Sequence, residues 1–275
     1  MNRVPISIRL LTYATGIALA VLAILPAFWL IRIALQPAGQ DIDSIGGFLV
    51  GGFTLDHFKS AWNDGHLGRP LLNSVVVTLV RAAFNVVLAA LAAYPLARMS
   101  FRGRDTIFVL LLATMMIPDQ VVVVPMFRTV VSMGLFDSLI AVVLPFSVTA
   151  MGVFLCRQAF SAIPSELEEA ARIDGANSLY IWWHVMLPLA APTLATLFLF
   201  SVIGAWSELL WPLIVLQSQE NTTLPVAVNT LLGQFSTNLR AAYAGAVLAL
   251  IPIVVVFIVC QKYLKTELFA GAVKG

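Results

Sequence analysis

The stretch Ser165–Pro188, SELEEAARIDGANSLYIWWHVMLP, interrupts a chain that is otherwise poor in charge. Pro164 closes the preceding element, because the residue before a proline is pushed away from helical geometry. Ser165 with Glu168 three positions on forms a capping-box pattern, in which both side chains satisfy free backbone donors. Glu166, Glu168 and Glu169 lie where the helix dipole favours negative charge. Ala170 and Ala171 favour helix and let another backbone come close. Gly175 is placed to take the left-handed conformation that ends a helix. Asn177 or Ser178 then caps a second helix, whose Trp182 and Trp183 suit a membrane interface, and Pro188 returns the chain to the bilayer. The spacing predicts a short, stiff knob.

The setting of that knob follows from composition. Of 275 residues 60% are hydrophobic and 11% charged, with a mean hydropathy of +0.94. Soluble domains run at roughly 45–50% apolar and about 25% charged residues, so the chain reads as an all-α, multi-pass membrane protein. A net charge of +2 does not point to nucleic acid. Cys156 and Cys260 fall in apolar runs, and no Cys/His cluster offers a metal site. Continuous apolar runs exclude a β-barrel, whose strands alternate. The N-terminal run is too long for a signal-peptide core and reads as a retained span.

A crossing needs about 20 mostly apolar residues. Six stretches qualify: 11–35, 71–97, 106–128, 139–160, 189–216 and 241–263. With both termini cytoplasmic, the inner segments hold ten basic residues: Arg3, Arg9, Arg98, Arg102, Arg104, Arg157, Arg172, Lys262, Lys265 and Lys274. The outer segments hold four: Lys59, Arg69, Arg128 and Arg240. That bias sets the orientation. It puts the 161–188 loop inside and the 36–70 loop, with Asp41, Asp43, Asp56 and Asp64, outside as a lid or docking loop. The six spans and their loops form a single transmembrane domain, without internal repeat.

A capped helix of this kind could simply lie on the membrane surface. Interfacial helices, however, favour Lys and Arg against anionic headgroups, so the acidic cluster and alanines fit a protein partner better.

The same segment resembles the loop signature of binding-protein-dependent ABC importer permeases. It has Glu169-Ala170-Ala171, three residues, Gly175, nine residues, Val185 where the family has Ile, one residue, then Leu187-Pro188. Seven defined positions within twenty residues make the match specific. "IPSELEEAARIDGA" is similar to the carbohydrate (maltose/glycerol-phosphate-type) branch. The family resemblance spans most of the chain, through "LLNSVVVTL", "AAYPLARMSFRGR", "MMIPDQVVVVPMF", "WSELLWP" and "GAVKG". The chain departs from the family at Ser207, where Asn is usual, and at Glu267, where glycine is common.

The resemblance implies a type I ABC importer permease fold with six transmembrane helices, in a bacterial or archaeal inner membrane. It implies a non-catalytic subunit whose knob (Glu168, Glu169, Ala170, Ala171, Asp174, Gly175, Pro188) docks on a separate ATP-binding subunit, present as a dimer. It further implies a second homologous permease and an extracytoplasmic solute-binding protein. The chain has no G-x-x-x-x-G-K-[ST] loop, so no cofactor is expected on it, and ATP and Mg belong to the partner ATPase.

Charged residues at bilayer depth usually face a bundle interior or cavity. Asn73, Val77, Arg81 and Asn85 share one helical row. Asp119 and Gln120 follow the helix-bending Pro118, and Glu208 sits between Trp206 and Trp211. Arg81, Asn85, Asp119, Gln120, Trp206 and Glu208 are therefore candidates for a substrate path, Arg81 favouring an anionic or acylated group. Helix–helix glue, or pairing of Arg81 with Asp119 or Glu208, is the plainer alternative. His184 beside two tryptophans reads as amphipathic rather than as a proton relay. Two other classes compete: a secondary transporter half using Asp119 and Glu208 as proton carriers, and a membrane-embedded enzyme. The first normally shows inverted repeats, and neither zinc motif nor Ser/His/Asp set supports the second.

Overall fold

The computed structural model describes residues 6–39, 52–234 and 239–272, with side chains described from 8 to 233 within those limits and from 239 to 259. Arg3, Asp41, Asp43 and Lys274 lie outside the described residues, as do the side chains of Cys260, Lys262, Lys265 and Glu267. All regular structure among the described residues is helical.

Two compact units are distinguished. One comprises residues up to 67 together with 227–251; the other comprises 68–226 and the residues from 252 on. The first unit contains α1 (Ile6–Ala34) and α2 (Asp56–Asn63). Within it, Leu231 is 2% exposed and sits where a Cβ on Gly65 would lie 2.8 Å from it and one on Gly245 2.9 Å. Those glycines let the backbones close around the leucine. His57 Nε2 lies 3.0 Å from the Gln36 carbonyl, tying α2 to the end of α1.

The second unit is built on α3 (Gly68–Arg98), a single helix over the expected 71–97 span. After it come α4 (Arg104–Thr114), α5 (Asp119–Ser132), α6 (Leu139–Val143) and α7 (Ala150–Ala162). The knob helices α8 (Ser165–Ile173) and α9 (Ser178–Ile181) follow, then α10 (Ala191–Ser207) and α11 (Leu210–Val215). Beyond these, α12 covers Leu224–Gln234 and α13 covers Leu239–Ala272. Among the described residues three helices are long and apolar enough to cross a membrane, and counting each of three bent pairs as one span raises the number to six.

Two of these pairs bend inside the expected spans, the first at Pro118 as the sequence indicates, and the third bends where the fifth span begins. Helices α4 and α5 meet at 101°, α6 with its 3₁₀ extension meets α7 at 46°, and the stretch 178–189 meets α10 at 79°. Pro118 explains the first: it is extended (ψ 136°), has no N–H to donate, and caps α5. The stretch expected as a continuous fifth span is also broken, at Glu208, whose backbone is extended.

Helix α3 packs on α7 and α10 through small residues: Ala82, Ala89, Ala90 and Ala93 are fully buried. Such residues permit the close backbone approach on which helix association in lipid depends. At Gly152 of α7 an added Cβ would lie 3.0 Å from Asn85 Oδ1 and 3.1 Å from Ala89 Cβ. Around this crossing Tyr94, Phe108, Cys156, Phe160, Ile181, Trp182 and Met186 form one core.

At the opposite end of α3 a polar clip holds two loops. Asp137, in the left-handed region at φ 56°, accepts hydrogen bonds from Gln217 N (2.9 Å), Ser218 N (3.0 Å) and Ser218 Oγ (3.1 Å). Asn73 donates to the carbonyls of Glu220 (2.8 Å) and Thr222 (2.9 Å). The amide donors of Ser218 and Gln217 hold the Asp137 carboxyl below its ordinary value. A depressed folded-state pKa contributes stability above the unfolded value that disappears as pH falls through the folded one. Asp137→Asn should therefore lower the amide-exchange protection of Gln217 and Ser218 several-fold at neutral pH. Wild-type protection should drop to that level only below about pH 4.

Candidate functional site

Two places in the second unit concentrate polar chemistry. The first is the knob. Helix α8 begins directly after Ile163 and Pro164, both extended. Its end is a Schellman closure: Ala176 N donates to Ala171 O (2.9 Å) and Gly175 N to Arg172 O (3.0 Å), with Gly175 at φ 85°. Asn177 caps α9 by accepting from Tyr180 N at 2.8 Å.

The capping box does not form. Pro164 occupies the N-cap position and no side chain caps α8, so Ser165 is already inside the helix. Glu168 is instead 7% exposed and becomes the centre of a buried network. Its Oε1 accepts from Tyr94 Oη (3.1 Å) and Arg172 Nη2 (2.8 Å), while Oε2 lies 3.8 Å from Arg98 Nε. Arg98 Nη2 also donates to the carbonyls of Phe160 (2.6 Å) and Ile163, which end α7. Two donors, Tyr94 and Arg172, together with the Arg98 ion pair outcompete a cap, because a carboxylate out of water needs such partners. The same carboxylate raises the Arg172 pKa.

Most of the rest of the knob faces outward. Glu166, Glu169, Ala170, Asp174, Gly175 and Pro188 are exposed, and Ala171 is half-buried. Ile173 is 87% exposed, with Leu179, Tyr180 and Trp183 also open. Trp182 departs from the interfacial reading: it is buried, and its indole donates to Ala90 O at 3.2 Å. His184 stacks on Tyr180 with ring centroids 4.1 Å apart. Residues Trp182–Met186 form a π-helical turn, a feature frequent at functional sites.

The second place is a cavity of about 670 Å³ at the α4–α5 break. Arg81 and Asp119 line it with Thr114, Met126, Phe146 and Thr149. The Arg81 guanidinium carbon lies 4.0 Å from the Phe146 ring centroid, and its buried Nη1 has no hydrogen-bond partner. Asp119 and Glu208 both lie within electrostatic reach of Arg81. Phe146 and Thr149 carried no signal in the sequence, because their position depends on how α6 meets α7.

The other candidates are placed elsewhere. Asn85 is 3% exposed; it donates to Ser201 Oγ (2.8 Å) and accepts from Thr149 N (2.8 Å), binding α3, α7 and α10 together. Gln120 is exposed and Trp206 buried, and neither lines the cavity. Glu208 does not line it either; its Oε1 accepts from Trp211 N, in the first turn of α11, at 3.2 Å.

Comparison with known proteins shows the family. The family described as "Binding-protein-dependent transport system inner membrane component" matches residues 85–269. The arabinooligosaccharides transport system permease protein AraQ of Bacillus subtilis is 33% identical over 94% of this chain and 92% of its own length. The melibiose/raffinose/stachyose import permease protein MelC of the same species is 33% identical over 98% of each chain. A chain of a bacterial ABC transporter involved in the import of the acidic polysaccharide alginate superposes with a TM-score of 0.81 at 25% identity. That superposition covers 96% of this chain and 99% of the other.

Proposed function

From the premise that the chain belongs to the binding-protein-dependent inner-membrane transport components, with their type I importer permease fold, we propose that it forms part of the translocation path for a carbohydrate and draws its power from a separate ATPase. The termini lie in the cytoplasm, as the bias of Lys and Arg indicates. The chain works beside a second homologous permease and receives solute from an extracytoplasmic binding protein. ATP and Mg bind on the paired ATP-binding subunits.

The observation that carries this reading is the knob. Most surface loops of a membrane protein have no need of a helix closed at its C-terminal end, capped again two residues later, and fastened from beneath by a buried carboxylate. Here that stiffness accompanies an outward face of Ile173, Leu179, Tyr180 and Trp183 next to Glu169, Ala170 and Asp174. Exposed apolar side chains accompanied by acidic rather than basic ones fit a protein groove better than anionic lipid. When the ATPase subunits close, the knobs move and the helix bundle tilts.

The cavity fits the solute. Methionine and phenylalanine walls with a few polar groups suit a sugar ring. Arg81 carries one positive charge against the two carboxylates of Asp119 and Glu208, which favours a neutral, hydroxyl-rich ligand over the anionic group that the sequence alone indicates. Oligosaccharides are named for AraQ and MelC, and an acidic polysaccharide for the alginate transporter, which supports the carbohydrate class.

Reconstitution with the cognate ATPase, partner permease and binding protein tests the function. Uptake should require ATP and binding protein and should persist when the proton gradient is collapsed. Uptake that follows the gradient without ATP would instead establish the proton-coupled alternative through Asp119 and Glu208. Arg81→Ala should lower uptake roughly 10- to 100-fold, the scale of a lost hydrogen bond from a charged donor. Unchanged solute affinity and uptake in Arg81→Ala and Glu208→Ala would remove these residues from the path.

A further inference from the structure

The exposed face of the knob explains docking but not how motion passes onward. At Ile163 and Pro164 the chain is extended for two residues between α7 and α8, with ψ of 133° and 137°. Neither residue continues a helix, so backbone hydrogen bonds alone would let α8 pivot there. Something else must stop it.

We infer that Glu168, held by Tyr94 and Arg98, is the positioning residue that turns displacement of the knob into displacement of α3 and α7; this rests on the function proposed above. Glu168 is 7% exposed while Ile173 and Glu169 are open to solvent, so its carboxylate is turned inward rather than towards a docked partner. Both of its oxygens engage α3, and α7 is reached through Arg98. One accepts from Tyr94 at 3.1 Å, a 4% exposed side chain near the end of α3. The other faces Arg98, the last residue of α3, which reaches back to the carbonyls of Phe160 and Ile163 at the end of α7. Arg98 thus spans the extended joint and Glu168 locks α8 to it. Arg172, one turn further along α8, completes the ring at 2.8 Å.

The chemistry makes this joint stiff. The side chains of Glu168 and Arg98 are 9% and 11% exposed, so water replaces neither partner easily. A buried carboxylate that loses its donors cannot simply swing out, and the alternative states are poorly populated. Glu168→Gln keeps shape and one acceptor but turns an amide donor or an uncharged oxygen towards Arg98. The joint then loosens while the outward face remains as it was.

The assembled transporter in vesicles tests this through the number of solutes moved per ATP. Glu168→Gln should retain the co-purifying ATPase and hydrolyse ATP at the wild-type rate or faster. Its solute-to-ATP ratio should fall roughly tenfold or more, as expected where a charge-assisted bond is lost. Tyr94→Phe, which removes one hydroxyl and leaves the ring packed against Phe160, should shift the ratio in the same direction by less. If Glu168→Gln fails to accumulate, Tyr94→Phe decides. Ratios unchanged in both variants, or hydrolysis and uptake falling in parallel, would overturn the inference. Failure of the wild-type chain to capture any ATPase would remove the underlying reading as well, so the two failures are distinguishable.

Discussion

Ile173→Asp is expected to detach the ATP-binding subunit and abolish ATP-driven uptake while leaving the permease folded. Ile173 is the final residue of α8 and is 87% exposed, beside Asp174 and the Gly175 closure. A large aliphatic side chain held fully in water on a rigid helix end gains only when another surface covers it. At protein interfaces such central anchors cost at least about 2 kcal/mol when removed, roughly 30-fold in affinity. Aspartate adds the cost of burying an unpaired charge in a groove that already faces Glu169 and Asp174. Nothing inside the permease is lost, since the side chain points away from Glu168 and its partners. Pull-down of the ATPase with the solubilised permease, alongside the amount of permease recovered, measures both halves of this expectation. Ile173→Leu should behave as wild type.

The second large effect lies inside the bundle. Gly152→Leu should sharply reduce accumulation of folded protein, whereas Gly204→Leu should be tolerated. Both are helical glycines, yet a Cβ at Gly152 meets Asn85 Oδ1 and Thr149 Oγ at 3.0 Å each, while one at Gly204 meets nothing within 4 Å. Overpacking costs about 1–3 kcal/mol. Forcing α3 from α7 would also strip Asn85 of the Thr149 amide and leave a buried carboxamide oxygen unpaired, for roughly 1–3 kcal/mol more. Size-exclusion profiles of the two variants in the same detergent give the comparison.

Local signals in the sequence proved readable where the physics is local. Gly175 and Asn177 act within four residues of their partners, and both work as their spacing indicates. The apolar runs mark helices, because crossing a membrane demands length and hydropathy that few other structures need. Glu168 was misread for the opposite reason. Its partners Tyr94 and Arg98 are 74 and 70 positions away, and a capping pattern is the cheapest use of a glutamate only while no charged donor is near. Trp182 and Trp183 look equivalent in sequence, yet a helical turn sends one indole to Ala90 and the other outward. Asn85 and Arg81 share a helical row, but α7 and α10 close over the first while the break at Pro118 leaves space beside the second. Among the described residues, then, the candidate cavity depends on bends that hydropathy cannot register.

In the function proposed above, the knob is a cytoplasmic handle gripped by a nucleotide-driven partner. Its most direct test is a single cysteine at Ala170, in a chain with Cys156 and Cys260 replaced, labelled in sealed vesicles and crosslinked in the assembled transporter. Labelling should occur only from the cytoplasmic side, and crosslinks should capture the ATP-binding subunit in a pattern that changes when ATP is added. Labelling from the outer face, or crosslinks that never reach a nucleotide-hydrolysing subunit, would contradict it.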